Sequence, residues 1–148
     1  MKIIHVNSEK QLKIFNNVKK GKMLVVFVAN WCGHCEHLKP IWKKMERALK
    51  KTKSVNKGVI AMIYSDYRDR VNVSSNCDGY PTIKMYKNGK ILKEWNGDWT
   101  QKGVLENTAK SFFSEKTKKV RSKKKRSHKR KTKRKYRKRR NKTQKRRR

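Results

Sequence analysis

The chain has 148 residues and an extreme formal charge of +35, from 45 Lys and Arg against 10 Asp and Glu. That charge favours polyanionic partners such as nucleic acid, acidic protein or anionic lipid. Three cysteines are too few for a disulfide-stapled secreted scaffold, and the longest apolar run, Met23 to Ala29, is too short to span a membrane.

The first half of the chain predicts two strands, each followed by a helix. Lys2 to Val6 favours a short strand, and Ser8 with Gln11 three residues later has the pattern of a helix capping box. Met23 to Ala29 favours a central strand that is apolar on both faces. The helix after it carries an apolar stripe at Leu38, Trp42, Met45 and Leu49.

The second half predicts a further central strand at Val59 to Tyr64 and then a polar stretch with one or two helical turns. Strands at Thr82 to Tyr86 and Ile91 to Trp95 flank Asn88-Gly89, a strong hairpin signal. A final helix is predicted from Gln101 to Phe113. The order predicts an α/β fold with a mixed central sheet and helices on both of its faces.

The most informative stretch is Trp31-Cys32-Gly33-His34-Cys35, directly after the central strand. A cysteine at a helix N-terminus is favoured as thiolate by free backbone N–H groups and the helix dipole. The second cysteine lies about one turn later, close enough to form a disulfide with the first. A thiolate of low pKa attacks other disulfides, so the pattern predicts a thiol–disulfide redox pair.

Zinc binding is the alternative interpretation of a lone CxxC, with His34 or His37 as a further ligand. Tetrahedral zinc sites normally recruit a second pair of ligands, and the sequence has no second CxxC and no HxxxH. The sequence therefore favours redox chemistry, with no metal and no cofactor.

Two separated motifs resemble the thioredoxin-fold family: Cys-Gly-His-Cys at 32–35, and Gly79-Tyr80-Pro81-Thr82 about 45 residues later, ahead of the hairpin. The tetrapeptide, which includes Gly33, resembles the protein disulfide isomerase branch. The resemblance covers residues 1–114 and implies a thioredoxin-like three-layer α/β/α domain. It also implies protein thiols and disulfides as substrates.

The resemblance implies a role for each matching position. Cys32 matches the attacking cysteine, and Cys35 matches the resolving cysteine that releases the mixed disulfide. His34 matches a residue that stabilises the Cys32 thiolate, and Trp31 matches the indole beside the site. Pro81 matches a cis-proline that lies against the disulfide and lets the adjacent backbone pair with substrate.

Three positions depart from the family pattern. Val26 stands where the family pattern has a buried Asp or Glu, and the resemblance implies that this acid accepts the proton of the resolving thiol. Glu36 follows the site where Lys is frequent, and a carboxylate there would oppose thiolate formation. Asp78 adds a further acid before Pro81. These departures favour a dithiol redox site over an efficient isomerase.

The remaining candidates outside the motif carry weaker signals. Cys77 is expected to be a buried apolar substitute, with a third redox or modification site as the alternative. His5 and His128 match no pattern and are expected to be solvated.

The C-terminal 33 residues, 116–148, hold 23 of the 45 basic residues and no acid, which leaves +12 for residues 1–115. Residues 115–148 are therefore expected to be a separate Lys/Arg-rich tail, disordered in isolation. We expect phosphate contacts with nucleic acid or another polyanion, without sequence-specific recognition, since only Tyr136 can stack on a base. The candidate binding residues are Lys123, Lys124, Lys125, Arg126, Lys129, Arg130, Lys131, Arg137, Lys138, Arg139 and Arg140.

No N-terminal secretion signal is recognisable, so a cytoplasmic or nuclear location is expected. The combination of a redox domain with a basic tail resembles redox proteins of large DNA viruses, which adds the virion as a location. Two functions follow from the sequence. The first is a thiol–disulfide oxidoreductase tethered to nucleic acid, and the second is a redox-weak domain that binds or packages nucleic acid.

Overall fold

The structure, a computed structural model, describes residues 1–19, 21–52 and 58–114. Within these ranges the strands and α-helices follow the predicted order: β1 (Lys2–Val6), α1 (Glu9–Asn16), β2 (Lys22–Val28), α2 (Gly33–Lys51), β3 (Val59–Tyr64), β4 (Thr82–Lys87), β5 (Lys90–Trp95) and α3 (Val104–Ser114). A 3-10 helix, Ser65–Arg70, follows β3 and accounts for the helical turns predicted in the polar stretch.

The five strands form one mixed sheet in the order β1-β3-β2-β4-β5. β1 and β2 both run parallel to β3, whereas β4 pairs antiparallel with β2 and with β5. The predicted mixed α/β fold is therefore confirmed. β2 lies at the centre of the sheet and is hydrogen-bonded to a strand on each side. The residues that follow β2 are therefore held by the middle of the sheet.

Alternation along the strands separates the core into two layers. Leu24, Val26 and Val28 of β2 pack with the apolar stripe of α2 and with α3. Val25 and Phe27 face the opposite side, which α1 covers. Because both faces of β2 are buried, its sequence reads as an unbroken apolar run.

The helix boundaries follow local hydrogen bonds. α1 begins as predicted, because the Gln11 N–H donates to the Ser8 side-chain oxygen over 3.4 Å. α3 begins at Val104 rather than at Gln101, which corrects the prediction. Gly103 has a φ of +82°, a left-handed conformation that a helix does not continue through.

The expectation that His5 is solvated holds only in part, because its side chain is 32% exposed and pairs with Glu46. His5 lies in β1 between Ile4 and Val6, which pack toward α1, so alternation directs its side chain toward α2. There its Nε2 lies 2.7 Å from an oxygen of the Glu46 carboxylate, which is only 7% exposed as a residue. A buried carboxylate is costly without a hydrogen-bond partner, and His5 supplies one. The pair therefore joins β1 to α2.

The candidate nucleic-acid residues of the basic tail, Lys123 through Arg140, and His128 lie outside the described residues. Across the part of the chain that is described, no helix is both long enough and apolar enough to cross a membrane.

Candidate active site

Cys32 sits at the junction of β2 and α2 and is the N-cap residue of α2, with extended backbone angles. Its sulfur accepts a hydrogen bond from the Cys35 N–H over 3.2 Å. This is the position where Ser, Thr, Asp or Asn oxygens usually satisfy the first free N–H groups of a helix. The Cys32 sulfur therefore lies in the positive field of the α2 N-terminus, which stabilises a thiolate.

Cys35 lies one turn into α2 and is fully buried. The two sulfurs form a disulfide with the Cα atoms 5.2 Å apart, within the usual range for such a bond. Cys32 retains 7% exposure. Of the two sulfurs, only that of Cys32 can be approached from solvent without opening the core.

A second segment approaches Cys32 from the loop before β4. The Tyr80–Pro81 peptide bond is cis, as the resemblance implied, and the Tyr80 carbonyl oxygen lies 3.4 Å from the Cys32 sulfur. The fold thus brings the two sequence motifs together at one edge of the sheet. Pro81 itself is half-buried beside them.

The remaining motif residues are exposed around the start of α2. Trp31 is 78% exposed, and its ring meets that of Tyr80 edge to face, with the centroids 5.7 Å apart. Gly33 and His34 are both exposed at the start of α2. A Cβ on Gly33 would contact nothing within 4 Å, so packing does not require a glycine there.

The acid that follows the site is already paired. A Glu36 carboxylate oxygen lies 2.5 Å from the Lys39 ammonium, one turn further along α2. This contact raises the pKa of Lys39 above its ordinary value. Because Lys39 compensates its charge, Glu36 opposes a Cys32 thiolate less than its position in the sequence suggests.

Val26 occupies the position under Cys35 where the family pattern has an acid. Its side chain is fully buried in the same apolar cluster as Cys35 and Leu38. Val26 pairs with Met62 of β3 and Ile83 of β4, so its strand neighbours are apolar as well. Val26 can therefore accept no proton from the Cys35 thiol.

Cys77 is a free cysteine and is partly buried, packing at the edge of the cluster on the α1 side. Its thiol donates to the Ser75 carbonyl oxygen over 2.9 Å. Burial raises the pKa of the Cys77 thiol above its ordinary value, although the Lys84 ammonium acts in the opposite direction. At neutral pH Cys77 is thus a protonated, weakly nucleophilic thiol.

The zinc alternative needs at least a third ligand near the CxxC. In the described ranges, no three His, Cys, Asp or Glu side chains come together so as to hold a metal ion. The exposed imidazoles of His34 and His37 form no such cluster with the cysteines.

Sequence reasoning missed one residue at this site. An Arg68 guanidinium N–H points to the Tyr80 hydroxyl over 3.4 Å, and the same guanidinium pairs with Asp69. Arg68 belongs to the 3-10 helix after β3. The sequence has many arginines, and nothing in its pattern marks this one.

The chain is similar to parts of longer proteins. It is 34% identical over 94 residues to a protein disulfide isomerase-like 2-3 of Oryza sativa subsp. japonica, covering 64% of this chain and 20% of that protein. It is 30% identical over 80 residues to a thioredoxin domain-containing protein 5 homolog of Drosophila melanogaster, covering 54% of this chain and 19% of that protein. The chain spans about a fifth of the length of these relatives.

Solved structures show the same fold. The zinc-bound form of human ERp44 superposes with a TM-score of 0.53 at 26% identity, covering 74% of this chain and 31% of that one. Oxidised thioredoxin from Plasmodium falciparum superposes with a TM-score of 0.53 at 22% identity, covering 76% of this chain and 99% of that one. The family model named Thioredoxin matches residues 2–111. A match over most of the chain, with the Cys32–Cys35 disulfide at the start of α2, places this protein in the thioredoxin family.

Proposed function

We propose that this chain is a thiol–disulfide oxidoreductase that exchanges its Cys32–Cys35 disulfide with thiols and disulfides of protein substrates. The observation that carries the proposal is the asymmetry of the two sulfurs. Cys32 caps α2 beside the Tyr80 carbonyl and retains 7% exposure, whereas Cys35 is fully buried. Family membership and the disulfide isomerase-like relatives support the same chemistry.

In the oxidising direction, a substrate thiolate attacks the Cys32 sulfur and releases Cys35 as a thiolate. A second substrate thiolate then attacks the substrate sulfur of the mixed disulfide. The substrate leaves with a new disulfide, and the two electrons remain on Cys32 and Cys35 as two thiols. In the reducing direction, the Cys32 thiolate attacks one sulfur of a substrate disulfide and releases the other as a thiolate. The Cys35 thiolate then attacks the Cys32 sulfur, releases the second substrate sulfur as a thiolate and restores the Cys32–Cys35 disulfide.

The surrounding residues support these steps. His34, exposed in the first turn of α2, has the role that the resemblance implies, which is to stabilise the Cys32 thiolate. Gly33, exposed between the two cysteines, adds no side chain to this surface. Trp31 and Pro81 border the surface on which a substrate segment lies.

The test is the turnover of the full chain in the refolding of a scrambled, disulfide-containing protein, together with the reduction potential of the cysteine pair. Cys32→Ser is expected to abolish turnover, because it removes the attacking sulfur. Cys35→Ser is expected to trap a mixed disulfide on Cys32. Cys77→Ser is the matched control and keeps full activity, and turnover that survives Cys32→Ser contradicts the proposal.

The basic tail forms the second part of the proposal: residues 116–148 bind nucleic acid or another polyanion and hold the enzyme there. Support comes from 23 basic residues without an acid, a composition suited to phosphate contacts. Such binding would concentrate the redox site in a nucleus or a virion.

Buried Val26 favours one alternative, a redox-weak domain whose main task is to bind or package nucleic acid. This alternative predicts negligible turnover by the wild-type chain together with tight, salt-sensitive DNA binding. The refolding assay and a salt titration of DNA binding distinguish the two functions.

A further inference from the structure

Three side chains form a connected surface beside the reactive sulfur. The Tyr80 hydroxyl meets the Arg68 guanidinium, the Tyr80 ring meets Trp31, and the Tyr80 carbonyl faces the Cys32 sulfur. Tyr80 therefore links the Arg68 guanidinium to the Trp31 indole and to the Cys32 sulfur. We call Trp31, Tyr80 and Arg68 the aromatic surface.

Hydrogen bonds to Asp69 fix the orientation of the Arg68 guanidinium. Its Nε donates to one Asp69 carboxylate oxygen over 2.9 Å, and one terminal nitrogen donates to the other oxygen over 3.2 Å. The remaining terminal nitrogen faces Tyr80. A bidentate carboxylate contact sets the plane of a guanidinium, so Asp69 directs the third donor at the Tyr80 hydroxyl.

The exposure of Trp31 requires an explanation. Among the described residues, the exposed large hydrophobic side chains are Trp31, Ile91 and Leu92, and Trp31 is the most exposed of the three. The other two lie on β5. An exposed indole held by a neighbouring ring offers a rigid apolar contact at little entropic cost. Such a residue is typical of the centre of a binding surface.

Two of the acids next to this surface are compensated, whereas Asp78, two residues before Tyr80, is exposed. Asp69 pairs with Arg68, and Lys39 pairs with Glu36. An approaching segment therefore meets apolar rings with neutralised ion pairs at their rim. This arrangement suits an apolar side chain better than a charged one.

We propose that Arg68 is a positioning residue that fixes Tyr80 and, through it, Trp31, so that the aromatic surface binds an aromatic or large aliphatic side chain next to the reactive cysteine of a protein substrate. The inference rests on the proposed function, since it names a preference of the same site. Arg68 touches no reacting atom and acts through Tyr80.

The test uses the reduced full chain and two peptide disulfides that differ only in Phe or Ser beside the cysteine. The wild-type chain is expected to cleave the Phe peptide faster, through a lower KM. Tyr80→Phe removes only the hydroxyl that meets Arg68, and Arg68→Ala removes the guanidinium. Each is expected to lower the Phe-to-Ser rate ratio by about three- to tenfold, the size of one lost hydrogen bond.

The double variant Arg68→Ala with Tyr80→Phe is expected to lower the ratio no further than either single change, because both remove the same contact. Arg70→Ala is the matched control: Arg70 lies in the same 3-10 helix but pairs with Glu9, away from the site. The Phe-to-Ser rate ratio of Arg70→Ala is expected to stay at the wild-type value.

Equal wild-type rates for the two peptides, or an unchanged ratio in Arg68→Ala and Tyr80→Phe, overturn the inference and leave the proposed function intact. A wild-type chain that cleaves neither peptide overturns the proposed function, and the inference with it.

Discussion

Val26 determines how the buried Cys35 thiol can lose its proton. The residue lies in the same cluster as Cys35, and that cluster is closed to solvent on the α2 side of the sheet. A thiolate forms there only when a base or water reaches it, and burial in apolar surroundings disfavours the charge. We therefore expect this valine to slow the resolution of the mixed disulfide by Cys35.

Val26→Asp is expected to speed the release of substrate from the mixed disulfide by about 10- to 100-fold, at or below the lower end of general-base contributions. The measurement is single-turnover release of a labelled peptide from Cys32. Val25→Asp is the control, because Val25 is equally buried in β2 but faces α1. Equal rates in the two variants would show that the position beside Cys35 has no special role.

Both aspartates also carry a cost in stability that depends on pH. Burial raises the folded-state pKa of an Asp above its unfolded value of about 3.9. Below that value the carboxyl is protonated in both states, so no ionisation penalty applies. As pH rises, the unfolded state ionises first, and the free energy of unfolding falls by up to about 1.4 kcal/mol per pH unit until the folded pKa is reached.

At the scale of elements, the contact between His5 and Glu46 attaches the edge strand β1 to the middle of α2. Glu46 stands within the apolar stripe of α2, between Met45 and Leu49, and is nearly as buried as its neighbours. The His5 imidazole contacts the Glu46 carboxylate there. The contact joins residues 41 positions apart and so fixes β1 against α2.

His5→Ala is expected to lower the free energy of unfolding by about 1–3 kcal/mol, because it leaves the Glu46 carboxylate buried without its partner. Urea denaturation of the full chain measures the change. A second variant, His5→Ala with Glu46→Leu, is expected to recover most of the loss, since it replaces the unpartnered buried carboxylate with an apolar side chain. A loss that persists in the double variant would assign the effect to packing of the imidazole.

The elements with local signals could be predicted from the sequence. The hairpin followed from Asn88-Gly89, whose φ angles of +54° and +81° suit those two residues, and β2 followed from its unbroken apolar run. The Cys32–Cys35 pair is equally local. The contacts of Tyr80 with Arg68 and of His5 with Glu46 join distant residues, and their geometry depends on how strands and loops are placed in space.

At the scale of the whole molecule, charge is distributed unevenly along the chain. Residues 1–115 carry +12 and include all the acids, whereas residues 116–148 carry +23. The described domain offsets part of its charge through ion pairs such as Lys84 with Glu94 and Lys110 with Glu106. The tail has no acid with which to do so, which makes it the stronger candidate for phosphate contacts.

The difference in charge between the two parts of the chain predicts that neutralising four cations weakens DNA binding more in the tail than in the folded domain. Replacing Lys123, Lys124, Lys125 and Arg126 by Gln in the full chain is expected to lower the slope of log K against log salt by about 3.6 on duplex DNA and about 2.8 on single strands. These values correspond to about 0.9 and 0.7 per lost phosphate contact. Fluorescence anisotropy across a salt series measures the slope.

The matched control replaces Lys43, Lys44, Lys50 and Lys51, four exposed lysines of α2, by Gln. It removes the same net charge, so a general electrostatic attraction would weaken equally in both variants. If binding runs through the tail, the lysines of α2 contact no phosphate. The slope of the α2 variant is then expected to stay near the wild-type value. Equal changes in the two variants would mean that the folded domain shares the contact, and the polyanion would then lie against the same domain that holds the redox site.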